Sequence, residues 1–305
     1  MDKSKAIGVL LILCAGSLWG TTGIYVRLLG DLGVSTIEII LVRAAIPMLI
    51  YVAAIAIFDR KLLRIRLRDL WIFIASGACS LTLFGYFYFH TMQIIPLSTA
   101  AVLLYTAPIM VMLMSALLFK EALTRQKVLA CAMAFLGCFF VAGIIGNAAP
   151  VPLGGIALGL VAALFYALYS IFGRFALNRH YHPLTVTVYS FIFATVAAMP
   201  FVDYGSFFAL VQSTPRVPLL LLTVAIFSSA LPLLCYTLGL ARVETGQASI
   251  MASIEPVVAT VISAVVFKEA LGLWGLLGIA MVLGAIVVLN LPARTQHSRI
   301  YASHS

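Results

Sequence analysis

The chain has 305 residues, 63% of them hydrophobic and only 10% charged. Soluble domains carry about 25% charged residues, so the polar shell of a water-soluble fold is missing and the chain reads as a polytopic membrane protein. The net charge of +9 does not indicate a nucleic-acid partner, because the positive residues sit in short loops between apolar runs, where they orient helices.

In chain order, ten runs reach the roughly 20 apolar residues that a spanning helix needs. They cover residues 6–26, 36–58, 70–90, 98–119, 128–146, 154–176, 184–203, 217–239, 246–267 and 273–291. The first run is too long for the apolar core of a secretory leader, lacks a small-residue cleavage site and leads into further spans. It holds Trp19 and the pair Gly16 and Gly20, a spacing that permits close helix approach; Gly155 and Gly159 repeat it in the sixth run. The second run carries Arg43. The basic loop 60–68 reads as a topology anchor on anionic lipid. The third run brings Tyr86, Tyr88 and His90, the fourth Tyr105 and Pro108, the sixth Tyr166 and Tyr169, the eighth Tyr236, and the ninth Glu255 and Pro256. Cys14, Cys79, Cys131, Cys138 and Cys235 all lie inside apolar runs without a close pair, so they read as small buried hydrophobes. Neither a metal nor a cofactor is expected.

The fourth run ends in Phe119-Lys120-Glu121-Ala122-Leu123, and the ninth in Phe267-Lys268-Glu269-Ala270-Leu271, an offset of 148 residues. Pro108 and Pro256 match at the same offset, as do Tyr88 and Tyr236, while Trp19 and Arg27 match Tyr166 and Arg174 at 147. The chain is therefore a tandem duplication: a first five-helix repeat over 1–147, a second over 148–291, and a tail over 292–305. The stretch 147–154 (Asn-Ala-Ala-Pro-Val-Pro-Leu-Gly) is a turn-forming linker. An odd helix count inverts the second repeat relative to the first, the arrangement from which alternating access arises.

Lys and Arg decide orientation. One set of loops holds Lys3, Lys5, Arg60, Lys61, Arg64, Arg66, Arg68, Lys120, Arg125, Lys127, Arg174, Arg179, Arg242, Arg294 and Arg299; the other holds only Arg27, Arg216 and Lys268. Both termini are expected in the cytoplasm, with the chain multi-pass in the cell (inner) membrane.

The chain resembles the EamA-type branch of the drug/metabolite transporter superfamily. The residues that carry the resemblance are Leu18-Trp19-Gly20, Arg43, Tyr105-Thr106-Ala107-Pro108 leading to Lys120-Glu121, and Ile254-Glu255-Pro256 leading to Lys268-Glu269. It extends over residues 6–291. It implies an all-α, ten-helix secondary transporter, usually an exporter of amino acids or other small metabolites, with a cavity between the repeats. Relatives that carry phosphorylated or nucleotide sugars use additional basic residues in the cavity; here only Arg43 is embedded.

An intramembrane charge costs about 2.5–3.5 kcal/mol on insertion scales, so each needs a reason. Arg43 and Glu255 can face cargo, with Glu255 also able to carry a coupling proton. Alternatively each satisfies polar groups at a helix interface, and Arg43 can snorkel outward near Glu38. Pro108 and Pro256 break helical hydrogen bonding at matched places, as hinges or as fixed bends. Trp19, Tyr86, Tyr88, Tyr105, Tyr166, Tyr169 and Tyr236 can line a cavity for an organic solute. His90, at the outer end of its run, suits a gate or a solvated surface as well as a proton carrier. Tyr25, Tyr51 and Trp71 fall near helix ends, as in an interfacial belt.

These features describe a secondary active exporter of a small organic metabolite, working by alternating access. Amino acids are one cargo class and protons one coupling ion; no phosphate-binding loop for ATP is present. An uncoupled facilitator or channel is the alternative within transport. A membrane enzyme would need a cluster of His, Asp or Glu beyond Glu255 and His90.

Overall fold

The structure, a computed structural model, describes residues 3–95, 97–142, 152–266 and 272–291. Among these, every regular element is helical. The first repeat contains α1 (Lys3–Trp19) and α2 (Thr22–Asp31), then α3 (Thr36–Phe58). After two 3-10 turns at Arg60–Leu63 and Leu67–Asp69 come α4 (Leu70–Ile74), a π-helical segment Ala75–Leu83 and α5 (Phe84–Ile94). The repeat closes with α6 (Leu97–Leu104), α7 (Ala107–Phe119) and α8 (Arg125–Val141). The second contains α9 (Leu153–Asn178), α10 (Pro183–Ala198), α11 (Tyr204–Ser213) and α12 (Arg216–Ala225). A π-helical segment Ile226–Ala230 leads into α13 (Leu231–Leu240), followed by α14 (Thr245–Ala252), α15 (Ile254–Val266) and α16 (Leu273–Asn290).

Eight segments of the described residues are long and apolar enough to cross a membrane. The fifth and ninth expected runs are not among them. α8 has 17 residues and stops beside the undescribed 143–151, while the 246–267 run is divided at Ser253. Residues 147–151 of the expected linker, the second pentapeptide 267–271 and the tail 292–305 lie outside the described residues.

The division at Ser253 has a local cause. Pro256 cannot donate to the preceding turn, so the helix stops and restarts with the proline in its first turn, where an N–H has no intrahelical partner anyway. Pro108 does the same, separating α6 from α7 at Tyr105 and Thr106. The two π-helical segments also fall at corresponding places, since 226–230 less the 148-residue offset is 78–82.

Packing follows the duplication. α1 lies along α13, α14 and α15, and α9, its counterpart, lies along α5, α6 and α7. The π segment Ile226–Ala230 packs on α3, and Ala75–Leu83 packs on α10. Matched helices also pack on each other, α3 with α10 and α8 with α16. Glycine makes the closest approaches possible. A Cβ on Gly16 would come within 2.5 Å of Ile254 and one on Gly20 within 2.8 Å of the Glu255 carbonyl oxygen; at Gly155 and Gly159 the obstacles are Ile95 and Leu103, at 2.3 and 2.6 Å.

Tyr51 departs from the belt expected of it. It is buried, stacked on Phe191 at 6.2 Å, and its hydroxyl donates to the Ala230 carbonyl at 3.0 Å. An apolar ring with one polar tip suits a helix interface as well as a headgroup layer.

Interhelical hydrogen bonds gather one set of loops at one end of the bundle. The Thr185 hydroxyl donates to the Leu62 carbonyl at 2.8 Å, Glu121 accepts from the Thr245 amide at 2.7 Å, and Gln126 donates to the Leu291 carbonyl at 2.9 Å. This end carries the basic loop 60–68 together with Arg125, Arg179 and Arg242.

Candidate functional site

The helix break at Ser253 places Glu255 in the first turn of α15. Unpaired backbone N–H groups and the positive end of the helix dipole favour a carboxylate there, which offsets part of the cost of a charge inside the bundle. Tyr166 of α9 donates to Glu255 Oε2 at 3.3 Å. Tyr88 of α5 and Tyr105, at the break before α7, stand close enough to feel the carboxylate's charge. Trp19, at the end of α1, meets Tyr166 edge-on at 6.5 Å and Tyr236 at 5.4 Å, and Phe84 connects Tyr88 to Tyr166 at 5.6 and 5.1 Å. Trp19, Tyr88, Tyr105, Tyr166 and Glu255 are all partly exposed although they sit between the repeats.

Arg43 enters the same neighbourhood from α3. Its Nη2 donates to the Ser228 carbonyl at 3.1 Å, and the Ser229 hydroxyl donates to the Arg43 carbonyl at 2.6 Å. The sequence explains why Ser228 has an oxygen to offer: Pro232, four residues on, has no N–H to return to it. Arg43 Nε is buried without a hydrogen-bond partner among the described residues. Glu38 does not draw the guanidinium outward; its Oε2 accepts from the Ser35 amide at 2.7 Å at the start of α3. Arg43 and Glu255 interact through their charges, yet no ion pair joins them among the described residues. A guanidinium and a carboxylate thus stand beside the aromatic cluster, interacting through their charges without forming an ion pair among the described residues.

The other expected residues fall differently. Tyr236 is buried; its hydroxyl is hydrogen-bonded to that of Ser170 at 2.7 Å, so it supports Trp19 from behind. Tyr86 is 58% exposed and stacks on the exposed His90 at 6.3 Å, on the face of α5 turned away from Glu255. The structure does not bring these two to the cluster. Tyr88, offered by the sequence alongside them, does belong to it. Ser228 was missed; Pro232 was the signal for it.

A second polar constellation lies at the basic end. Glu121, just beyond α7, receives the amides of Thr245 at 2.7 Å and Gly246 at 3.1 Å with its two oxygens, capping the start of α14. Arg174 Nε donates to the Thr245 hydroxyl at 2.8 Å and its Nη2 to the Val243 carbonyl. Lys127 is ion-paired with Glu244 and donates to the Ala122 carbonyl at 2.8 Å. Partial burial raises the Glu121 carboxyl pKa, but the Thr245 and Gly246 hydrogen bonds and the charge of Arg174 outweigh it and hold the group below its ordinary value. The counterpart Glu269 lies outside the described residues.

Comparison with known proteins agrees with this architecture. The profile of the EamA-like transporter family matches residues 6–143 and again 153–291. An uncharacterized transporter of Archaeoglobus fulgidus is 27% identical over 231 residues, covering 74% of this chain and 79% of its own. The threonine/homoserine exporter RhtA of Escherichia coli is 30% identical over 216 residues, covering 70% of this chain and 68% of its own. A solved crystal structure superposes with a TM-score of 0.79 over 95% of this chain and 99% of its own; at 20% identity that likeness concerns the fold. With two family repeats, apolar helices of spanning length and transporters among its relatives, the chain belongs to the EamA-like transporter family, a multi-pass membrane transporter of the drug/metabolite type.

Proposed function

We propose that the protein is a secondary exporter of small zwitterionic solutes of the amino-acid class, working by alternating access between two inverted five-helix repeats, 1–147 and 148–291, in the cell membrane with both termini cytoplasmic. The observation that carries this reading is the Arg43–Glu255 arrangement. A guanidinium with an unpartnered nitrogen and a carboxylate held by one tyrosine hydroxyl are complementary to the carboxylate and ammonium of an amino acid. Trp19, Tyr88, Tyr105 and Tyr166 supply apolar surface and hydroxyl groups for the remainder. The cargo named for the Escherichia coli relative is of the same class. Inversion is supported by the exchange of contacts between the repeats, and orientation by the concentration of Lys and Arg at one end. Glu255 serves as the proton-coupling group in this scheme, and Pro108 and Pro256 mark its hinges. The Glu121 cap on α14 closes the cytoplasmic side, since opening that side requires α7 and α14 to part.

Counterflow tests the reading. Liposomes containing the purified protein and loaded with unlabelled threonine should accumulate labelled threonine transiently, and an imposed pH gradient should change net flux. A panel of amino acids with no trans-stimulated uptake would remove the cargo class. Uptake without trans-stimulation or pH dependence would identify an uncoupled facilitator.

A further inference from the structure

At the basic end, the loop after α3 and the turn between α9 and α10 border an open surface pocket of about 890 Å³ lined by Arg64, Ile65, Arg66, Arg68, Arg179, His180 and Tyr181. The pocket is held in shape from beneath. The buried Asp69 carboxylate accepts from Arg179 Nη1 and, at 2.8 Å, from the Tyr181 hydroxyl, which itself accepts from the Arg66 amide at 3.0 Å. The Leu62 and Leu63 carbonyls accept from Thr185 and Tyr189 at 2.8 and 2.7 Å. Asp69 therefore compensates Arg179, while Arg68 stands 3.9 Å from it and is largely solvent-facing. Among the described residues no ion pair engages Arg64 or Arg66. Three guanidinium groups on a braced backbone are left with charge to spare.

The apolar surroundings define the ligand further. Leu67, between two of these arginines, is 85% exposed, and Phe58 at the end of α3 is 86% exposed. One turn along, Trp71 packs edge-on against Phe172 and Phe175 at 6.1 and 6.0 Å, and is itself exposed. A free anion uses only the arginines. A ligand with a phosphate head and long apolar chains uses both surfaces.

We infer that this pocket is a discrete binding site for the phosphate-bearing headgroup of an anionic phospholipid, whose acyl chains run along Trp71 and Phe172, so that one lipid spans a loop of the first repeat and a turn of the second. The site depends on the chain lying in a membrane and not on the cargo proposed above.

The test uses the full chain in detergent. Phosphatidylglycerol is titrated while bound lipid is counted by native mass spectrometry and unfolding is followed by thermal shift. Arg64→Gln with Arg66→Gln removes two exposed charges and should weaken phosphatidylglycerol binding roughly tenfold to thirtyfold, at about one decade or less per arginine. Lys3→Gln with Arg125→Gln removes the same charge elsewhere and should change it little. Phosphatidylcholine and inorganic phosphate should neither bind comparably nor stabilise. Equal loss in both double variants, or none in the first, would overturn the site. Equal stabilisation by inorganic phosphate would make it a free-anion site and overturn the lipid assignment. Because binding is read without transport, a failed counterflow assay leaves this result standing.

Discussion

The carboxylate of Glu121 and the amide of Gly246 meet at 3.1 Å across the two repeats, with the Thr245 amide completing a two-pronged cap on α14. The residues at its two ends are 125 positions apart in sequence, so this contact belongs to the assembled bundle only.

The cap has a defined pH dependence. The folded Glu121 lies below its ordinary value of 4.5, so its contribution is complete above that value and is lost as pH falls through the lowered folded pKa. The wild-type melting temperature should therefore drop on acidification below about pH 4.5, more steeply than that of Glu121→Gln. At pH 7 the variant should melt a few degrees lower, on the order of 1 kcal/mol for weakened charge-assisted bonds at a half-buried site. Parallel melting curves across the acid range would show that the cap does not contribute.

Glu255→Gln preserves shape and removes charge. It should elute as a folded monodisperse protein while net export driven by a pH gradient falls at least tenfold. Equal-pool exchange should persist if Glu255 only couples, and disappear if it binds cargo. Tyr166→Phe, which removes the hydroxyl donor at 3.3 Å, should show a weaker form of the same defect. Normal net export by Glu255→Gln would return the residue to packing.

Arg43→Gln and Glu255→Gln should be close to additive in stability. The guanidinium binds the Ser228 carbonyl and forms no ion pair with the carboxylate among the described residues, so only a through-space coupling is left between them. A double variant no worse than either single one would instead reveal a direct ion pair.

Pro108→Ala and Pro256→Ala let helical hydrogen bonding run through the breaks at Tyr105 and Ser253. Both should leave expression near wild type and slow initial transport several-fold, as expected where a break permits the two helix halves to move separately. Unchanged rates in both would make the breaks fixed bends.

Orientation is open to single-cysteine labelling on a background without native cysteines. A cysteine at Arg64 should react with an impermeant reagent only after lysis, and one at Gln212 in intact cells. Reaction of both from one side would overturn the alternation of loops.

Eight of the ten expected apolar runs recur at spanning length among the described residues, because a bilayer demands length, and the two prolines marked where helical hydrogen bonding is interrupted, because proline removes a donor wherever it stands. What composition hides is direction. Tyr86 and Tyr88 differ by two residues, about 200° around a helix, so one must face away from the other. In a soluble helix the polar face would identify the outer one. In α5 both faces are apolar, and only the assembled bundle distinguishes Tyr88 beside Glu255 from Tyr86 in the open. Arg43 is a similar case. Its partner is a backbone oxygen 185 residues away; Pro232 marks that oxygen as free, but nothing in the sequence pairs it with Arg43.

The grip of α1 on α13, α14 and α15, and of α9 on α5, α6 and α7, has a consequence for biogenesis. As the ribosome inserts the first repeat, the helices that α1 lies along, α13, α14 and α15, are still unmade. The first half must wait in the lipid with its glycine seams unfilled, and only the arrival of the second half completes either body. A chain severed within 143–151 should therefore yield transporter when both pieces are synthesised together, and neither piece should survive alone.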